Sequence, residues 1–196
     1  MPLQRSSTGV PYWPDASAPV ESLPPDTHRS ILRRAVLFLL LFAAMQTLYS
    51  ETRGTWIERL VIDRMTVQTA VWLIDTATPT IHVTAAGSRL RAPGGGINVL
   101  NGCEGTDVMF LMACALLVAP LAWRHRLIGL AIGSFMVFAL NQIRILALFY
   151  AFRSDKALFD LLHGVIAPVL LIMAIAAFFV FWMNRYAATA SHLPHA

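Results

Sequence analysis

Four long apolar stretches, 35–49, 106–123, 127–152 and 159–182, limit what this chain can become more than any motif does. A helix crossing the roughly 30 Å hydrocarbon core of a bilayer needs about 20 predominantly apolar residues. Three of the stretches have close to that length. The first is short, but Arg33 and Arg34 at its head can extend their apolar stems along it and keep their charges at the boundary. Composition agrees: 57% of residues are hydrophobic and 13% charged, against roughly 45–50% and about 25% in a soluble domain. The expectation is an all-α membrane protein with four transmembrane helices and the lipid bilayer as its solvent.

The formal net charge is +4, but the basic residues form no patch suited to a nucleic acid. They stand beside the apolar stretches, as Arg33 and Arg34, Arg124 to Arg126, and Arg185 do. Basic residues concentrate on the cytoplasmic side of membrane proteins. With four spans these three places share one side, which orients the chain and turns residues 50–105 outward. Residues 1–30 carry Pro2, Pro11, Pro14, Pro19, Pro24 and Pro25 among polar neighbours. This segment has too little apolar surface to order itself, so it reads as a disordered cytoplasmic tail. It is too long and too weakly basic for the opening of a cleaved signal peptide. Residues 31–196 then form the transmembrane domain, with an extracytoplasmic insert at 50–105.

Within that insert, Ile57, Leu60, Val61, Met65, Val71 and Trp72 recur at helical spacing, interrupted by Glu58, Arg59, Asp63 and Arg64. Each such charge would cost about 2.5–3.5 kcal/mol at mid-bilayer, which excludes a fifth span. An outer amphipathic helix, lying on the membrane or capping the bundle, fits instead. Residues 80–84, 89–92 and 97–100 are short strand candidates separated by Gly and Pro, and predict a small β-hairpin. The glycines Gly94 to Gly96 lack the Lys and Ser/Thr of a phosphate loop and read as a flexible turn.

The residues with chemistry lie near the outward ends of the apolar stretches. Cys103, in Asn101-Gly102-Cys103-Glu104-Gly105-Thr106, precedes the second stretch. It is either a small packing residue at a turn or a nucleophile, since backbone N–H groups at a helix start favour thiolate. Glu104 and Asp107 suit the helix start. Cys114, eleven residues on, would stand ~16 Å away along one helix, beyond the ~7 Å that a disulfide spans. No cysteine pair has metal-site spacing, and nothing else in the sequence implies a metal or cofactor. Arg144 lies inside the third stretch, either snorkelling outward or held in a polar cluster with Gln142 and with Asn141, three residues before it on the same face. His163 lies one turn into the fourth stretch, with Asp160 placed to orient it or to cap the helix. The predicted topology brings Cys103, Arg144 and His163 to one level on three helices. Such a trio suits peptide-bond chemistry: a thiolate attacks, an imidazole moves the proton, and a guanidinium stabilises the negative charge.

Here the sequence resembles the exosortase/archaeosortase family of membrane-embedded cysteine transpeptidases. Its Cys-x-Gly motif is matched by Cys103-Glu104-Gly105, its Asn-x-x-Arg motif by Asn141 to Arg144, and its His by His163 in Leu162-His163-Gly164. The resemblance implies catalytic roles for Cys103, Arg144 and His163, and partners that are membrane-anchored secreted proteins with a C-terminal sorting signal. Such a signal is a short motif, a membrane helix and basic residues. It also implies cleavage near the motif and transfer of the new C-terminus to an acceptor, at the outer face of the cytoplasmic (inner) membrane. Two other readings stay open: a cysteine peptidase releasing its product to water, and a non-enzymatic assembly or transport subunit in which Arg144 and His163 form a structural network.

Overall fold

Apolar periodicity, proline placement and a few obligatory glycines account for most of the element boundaries. In chain order the helices are α1 (Pro25–Ser50), α2 (Trp56–Arg59), α3 (Thr69–Ala77), α4 (Thr106–Val118), α5 (Trp123–Ser154), α6 (Lys156–Leu161) and α7 (Ala167–Tyr186). Wider π-helical segments join α2 to α3 (Leu60–Gln68) and α6 to α7 (Leu162–Ile166). Strands β1 (Thr84–Ala86), β2 (Arg89–Ala92) and β3 (Gly95–Asn98) lie between α3 and α4. This computed structural model describes residues 25–100 and 102–187. The chain divides into two units, Met1–Arg33 and Arg34–Ala196. Only the opening of α1 is described in the first, so most of the expected tail lies outside the described residues. The packed helices and the sheet belong to the second unit.

Among the described residues three helices, against the four expected, are long and apolar enough to cross a membrane: Arg29–Ser50, Trp123–Ser154 and Lys156–Tyr186. The second apolar stretch falls short because α4 has only 13 residues, about 20 Å of helix. Pro120 is the cause. It cannot donate a backbone N–H, and it drives Ala119 into an extended conformation (φ −61°, ψ 145°). Carbonyls freed where α4 ends are met by Arg126, whose Nη2 donates to Ala119 O at 3.0 Å and to Leu121 O at 3.4 Å.

Helix α5, with 32 residues and about 48 Å of length, is longer than a bilayer core requires. Two apolar clusters use its two ends. Toward its start, Val137 packs with Met112, Leu116, Ala119 and Leu121, and with Ile175 and Trp182 of α7. Gly129 and Gly133 permit this approach: an added Cβ would lie 2.7 Å from Trp182 Nε1 at the first and would overlap Met112 Sδ at the second. Toward its end, Ile145 and Phe149 pack with Ile62, Val67, Ala70, Ile74, Val83, Leu90 and Val99 of the insert.

The insert's helix forms, but with a different inner stripe. Ile62, Thr66, Val67, Ala70 and Ile74 are buried, whereas Leu60, Met65 and Trp72, expected to share the apolar stripe, are exposed. The strand region is a three-stranded antiparallel meander in the order β1-β2-β3 rather than a two-stranded hairpin. Leu90 pairs with Ala85 on one side and Ile97 on the other, and is fully buried. Residues 80–84, the first strand candidate, are mostly a 3₁₀ turn (Pro79–Ile81) and the left-handed His82 (φ 53°). The glycine run belongs partly to β3: a Cβ at Gly96 would overlap Leu90 O, and at Gly95 it would press on the ring of Phe152. Arg153 Nη1 donates to Pro93 O at 2.8 Å and holds the second turn against α5.

Candidate active site

The segment from β3 to α4 carries Cys103. Gly102 (φ 91°) and Gly105 (φ 84°) both take left-handed backbone, where a side chain costs roughly 1–2 kcal/mol. Between them Cys103 N donates to Leu100 O at 2.9 Å, closing a turn two residues before the Gly105 N-cap of α4. Asn141 fastens this turn to α5: its Nδ2 donates to Cys103 O at 3.2 Å. Gly105 is needed for contact as well as conformation, because an added Cβ would lie 3.0 Å from Asn141 Cγ. Cys103 is half-buried and packs against the insert's apolar cluster. Cys114 is buried, also a free thiol, with Met45 Sδ at 3.4 Å.

Asn141 therefore does not hold the Arg144 guanidinium, as its i, i+3 position suggested. Its side chain is directed to α4, and its Oδ1 is buried without a hydrogen-bond partner. Arg144 is half-buried, on the edge of α5 that meets the helices after Asp155. There it lines an apolar groove of about 190 Å³ with Leu140, Leu162, Ile166 and Leu170, and its Nε has no hydrogen-bond partner.

His163 is exposed in the π-helical segment that precedes Pro168. That proline, one residue into α7, leaves the carbonyl of Gly164 without its usual donor. The ladder widens there, so that Ala167 N bonds Leu162 O. Asp160 has neither role considered for it. Asp155 caps α6 by accepting from Ala157 N at 2.8 Å, and no hydrogen bond joins Asp160 to His163 among the described residues. The imidazole instead stacks on Phe159 (centroids 5.6 Å, planes 3° apart), and Phe159 meets Phe152 of α5 edge-on at 5.6 Å.

Helical rise spreads the three residues over about 10 Å along the bundle, with Arg144 between Cys103 and His163. From Arg144 the chain climbs about 15 Å to the end of α5 and descends about 10 Å along α6 to His163. Asn141, tied to Cys103, lies about 4.5 Å below Arg144. Among the described residues no hydrogen bond joins Cys103, Arg144 and His163.

The family model for transmembrane exosortase matches residues 27–185, four-fifths of the chain, from the first turn of α1 to the last of α7. The chain belongs to that family. Comparisons with curated proteins and with solved structures gave no match. The motif resemblance is thus borne out at the level of family, and with it a multi-pass membrane protein of the sortase-like transpeptidase family.

Two polar residues of this exosortase chain that sequence reasoning named only as neighbours of the motif residues are deeply buried. Glu104, read as a helix-start residue, is only 6% exposed. Its Oε1 accepts from Tyr49 Oη at 3.3 Å and Thr106 Oγ1 at 3.0 Å. Gln142 is 3% exposed, with neither side-chain polar atom hydrogen-bonded. Glu104 left a signal, a carboxylate between two glycines at the head of an apolar run. The burial of Gln142 agrees with the polar cluster that the sequence placed around Arg144.

Proposed function

We propose that this protein is a cysteine transpeptidase that cleaves C-terminal sorting signals of secreted proteins at the outer face of the cytoplasmic membrane. Cys103 attacks the scissile carbonyl and forms a thioester, while His163 gives a proton to the leaving amine. The acceptor's nucleophile then displaces the thiol, passing its proton back through His163. Arg144 neutralises the oxyanion of both tetrahedral intermediates, a role whose loss costs roughly 2.7–4 kcal/mol in comparable sites. The apolar groove beside Arg144 offers a surface for the substrate's membrane helix.

The observation that carries this reading is the Asn141–Cys103 hydrogen bond, which ties the Asn-x-x-Arg segment to the Cys-x-Gly segment across 38 residues. A fourth crossing belongs to the same proposal. Helix α4 and the extended residues 119–122 run beside α5 from Asn141 to Arg126, about 22 Å, and Arg126 supplies donors where the helix stops. That crossing puts the basic residues on the cytoplasmic side and Cys103 outside.

Replacing Cys103 by Ala or Ser tests the assignment. Processing of a membrane-anchored secreted substrate from the same cells is expected to stop, while the variant still inserts and melts like the wild type. Unchanged processing by a well-expressed variant overturns it. Mass analysis of the product, showing an added group or a free carboxylate, separates transfer from hydrolysis.

A further inference from the structure

The insert helix buries one stripe and leaves a second one bare. Trp56, Leu60, Met65 and Trp72 are 71%, 42%, 50% and 64% exposed, and Arg59 and Arg64 stand exposed among them. Residues four apart overshoot an α-helical turn and fall short of the wider π-helical one. Across α2, the π-helical segment and α3 the two drifts offset each other. Trp56, Leu60, Arg64 and Trp72 are thereby kept on the side opposite Ile62, Ala70 and Ile74. An open hollow of about 530 Å³ runs beside the stripe, lined by Trp56, Arg59, Leu60, Asp63 and Arg64 among others. Among the described residues neither guanidinium has a hydrogen bond or an ion pair.

Height decides what such a stripe meets. The large exposed apolar side chains of α5 run from Trp123 to Ile143, a climb of about 30 Å, which is the thickness of a hydrocarbon core. Directly above, the insert covers α5 at Ile145 and Phe149. Its helix starts five residues after α1 ends, through turns in which Thr52 N donates to Tyr49 O and Thr55 N to Thr52 O. Its far end is held to α5, where the Thr78 and Tyr150 hydroxyls share a hydrogen bond of 2.8 Å. The helix thus joins the ends at which α1 and α5 leave the apolar zone.

We propose that this stripe rests in the phospholipid headgroup layer on the insert's side of the bilayer, with its four apolar side chains in the interfacial zone and Arg59 and Arg64 on lipid phosphates. Tryptophan concentrates at membrane interfaces, where its ring meets apolar and wet surroundings together. Guanidiniums bind phosphate through paired N–H donors, and every phospholipid brings a phosphate to this height. Asp63, between the two arginines, leaves that edge with one formal positive charge in excess. The insert is then clamped from two sides, by α5 through its buried stripe and by lipid through its exposed one. Cys103 packs against the buried cluster, so the lipid contact also sets the depth of the cysteine turn relative to the headgroups. The inference needs α5 to cross the bilayer and does not depend on the chemistry assigned to Cys103.

The test uses the full chain, labelled with fluorotryptophan, in nanodiscs of phosphatidylethanolamine and phosphatidylglycerol. Trp56→Phe and Trp72→Phe assign the two fluorine signals. Two broadening agents are compared: a lipid carrying a nitroxide just below its headgroup, and a water-soluble gadolinium chelate. Trp123, exposed at the other end of the apolar run of α5, serves as the reference for a tryptophan at a membrane surface. Trp56 and Trp72 are expected to match it, broadening more with the lipid than with the chelate. Broadening by the chelate alone puts the stripe in water, and broadening by neither means that a second copy or another protein covers it. Either result overturns the proposal. Replacing Arg59 and Arg64 together by Gln is expected to reduce the lipid effect at Trp56 by about threefold with an unchanged melting curve. An undiminished effect in that folded variant overturns the assignment of the arginines to phosphate, and should the double variant fail to fold, Arg64→Gln alone carries the same test. Cys103→Ala is expected to leave both signals as in the wild type, so failure of the cysteine assignment and failure of the lipid contact give different results.

Discussion

Asn141 donates its side-chain amide to the carbonyl of Cys103 at 3.2 Å, and this one bond fixes the height of the cysteine turn on α5. The amide is 1% exposed, so no water replaces it cheaply when it is removed. Asn141→Ala is expected to lower stability by about 1–3 kcal/mol, the usual cost of leaving a buried acceptor unpaired. Processing is expected to fall further, by about 100-fold, because displacing a reacting group by about 1 Å has that effect. Thermal melting in detergent and a processing assay in cells give the two numbers. An unchanged melt with normal processing would show that the bond is no latch.

Gly105 faces the same asparagine, and two separate penalties attach to filling its position. Left-handed backbone costs an alanine roughly 1–2 kcal/mol, and its Cβ would additionally meet Asn141 Cγ at 3.0 Å. Only the second penalty depends on Asn141. In a double-mutant cycle, Gly105→Ala is expected to cost less when Asn141 is already Ala, by about 0.5 kcal/mol or more. Additive melting shifts would show that the backbone conformation alone demands the glycine.

The sequence revealed the bundle and the order of the motif residues because both depend on local features. Long apolar runs announce α1, α5 and the helices after Asp155, and glycines at 102 and 105 announce the turn around Cys103. What stayed hidden depends on partners distant in sequence. Asn141 shares a face with Arg144 by helical arithmetic, yet it turns to α4 because Cys103 O waits there, 38 residues away. The insert helix offered two apolar stripes, and periodicity could not say which one the sheet and α5 would cover. Leu60 and Trp72 lost to Ile62 and Ile74. The length of α4 was misjudged although a local signal was available: Pro120 stops a helix whatever the hydropathy around it.

His163 is oriented by stacking rather than by a carboxylate. Its ring lies parallel to Phe159, while Asp160 is exposed and forms no bond to it. Such aromatic pairs contribute about 0.5–1.5 kcal/mol. Phe159→Leu is therefore expected to slow processing by roughly 2- to 10-fold with little change in melting, and Asp160→Asn to leave the rate within about twofold of wild type. Comparing processing rates at matched protein levels decides between them. A larger loss in Asp160→Asn than in Phe159→Leu returns the orienting role to the carboxylate.

Arg126 was read from the sequence as a marker of membrane sidedness, but in the structure it also completes α4. Helix termini leave carbonyls without donors, and in a bilayer core water is not there to meet them. The Arg126 guanidinium supplies that donor to Ala119 and Leu121 while its carbon lies 5.5 Å from the Trp123 ring centroid. Hydrogen bonds from a charged donor contribute about 1.5–3 kcal/mol. Arg126→Met, which keeps much of the stem and drops the donor, is expected to lower stability by that amount. Arg126→Lys keeps the charge but loses the fork that reaches two carbonyls, and is expected to fall between the two. If sidedness were the residue's only role, Lys would match Arg in melting temperature. A measured gap between Arg126→Lys and wild type, in protein inserted the same way round, therefore isolates the capping contribution from the charge.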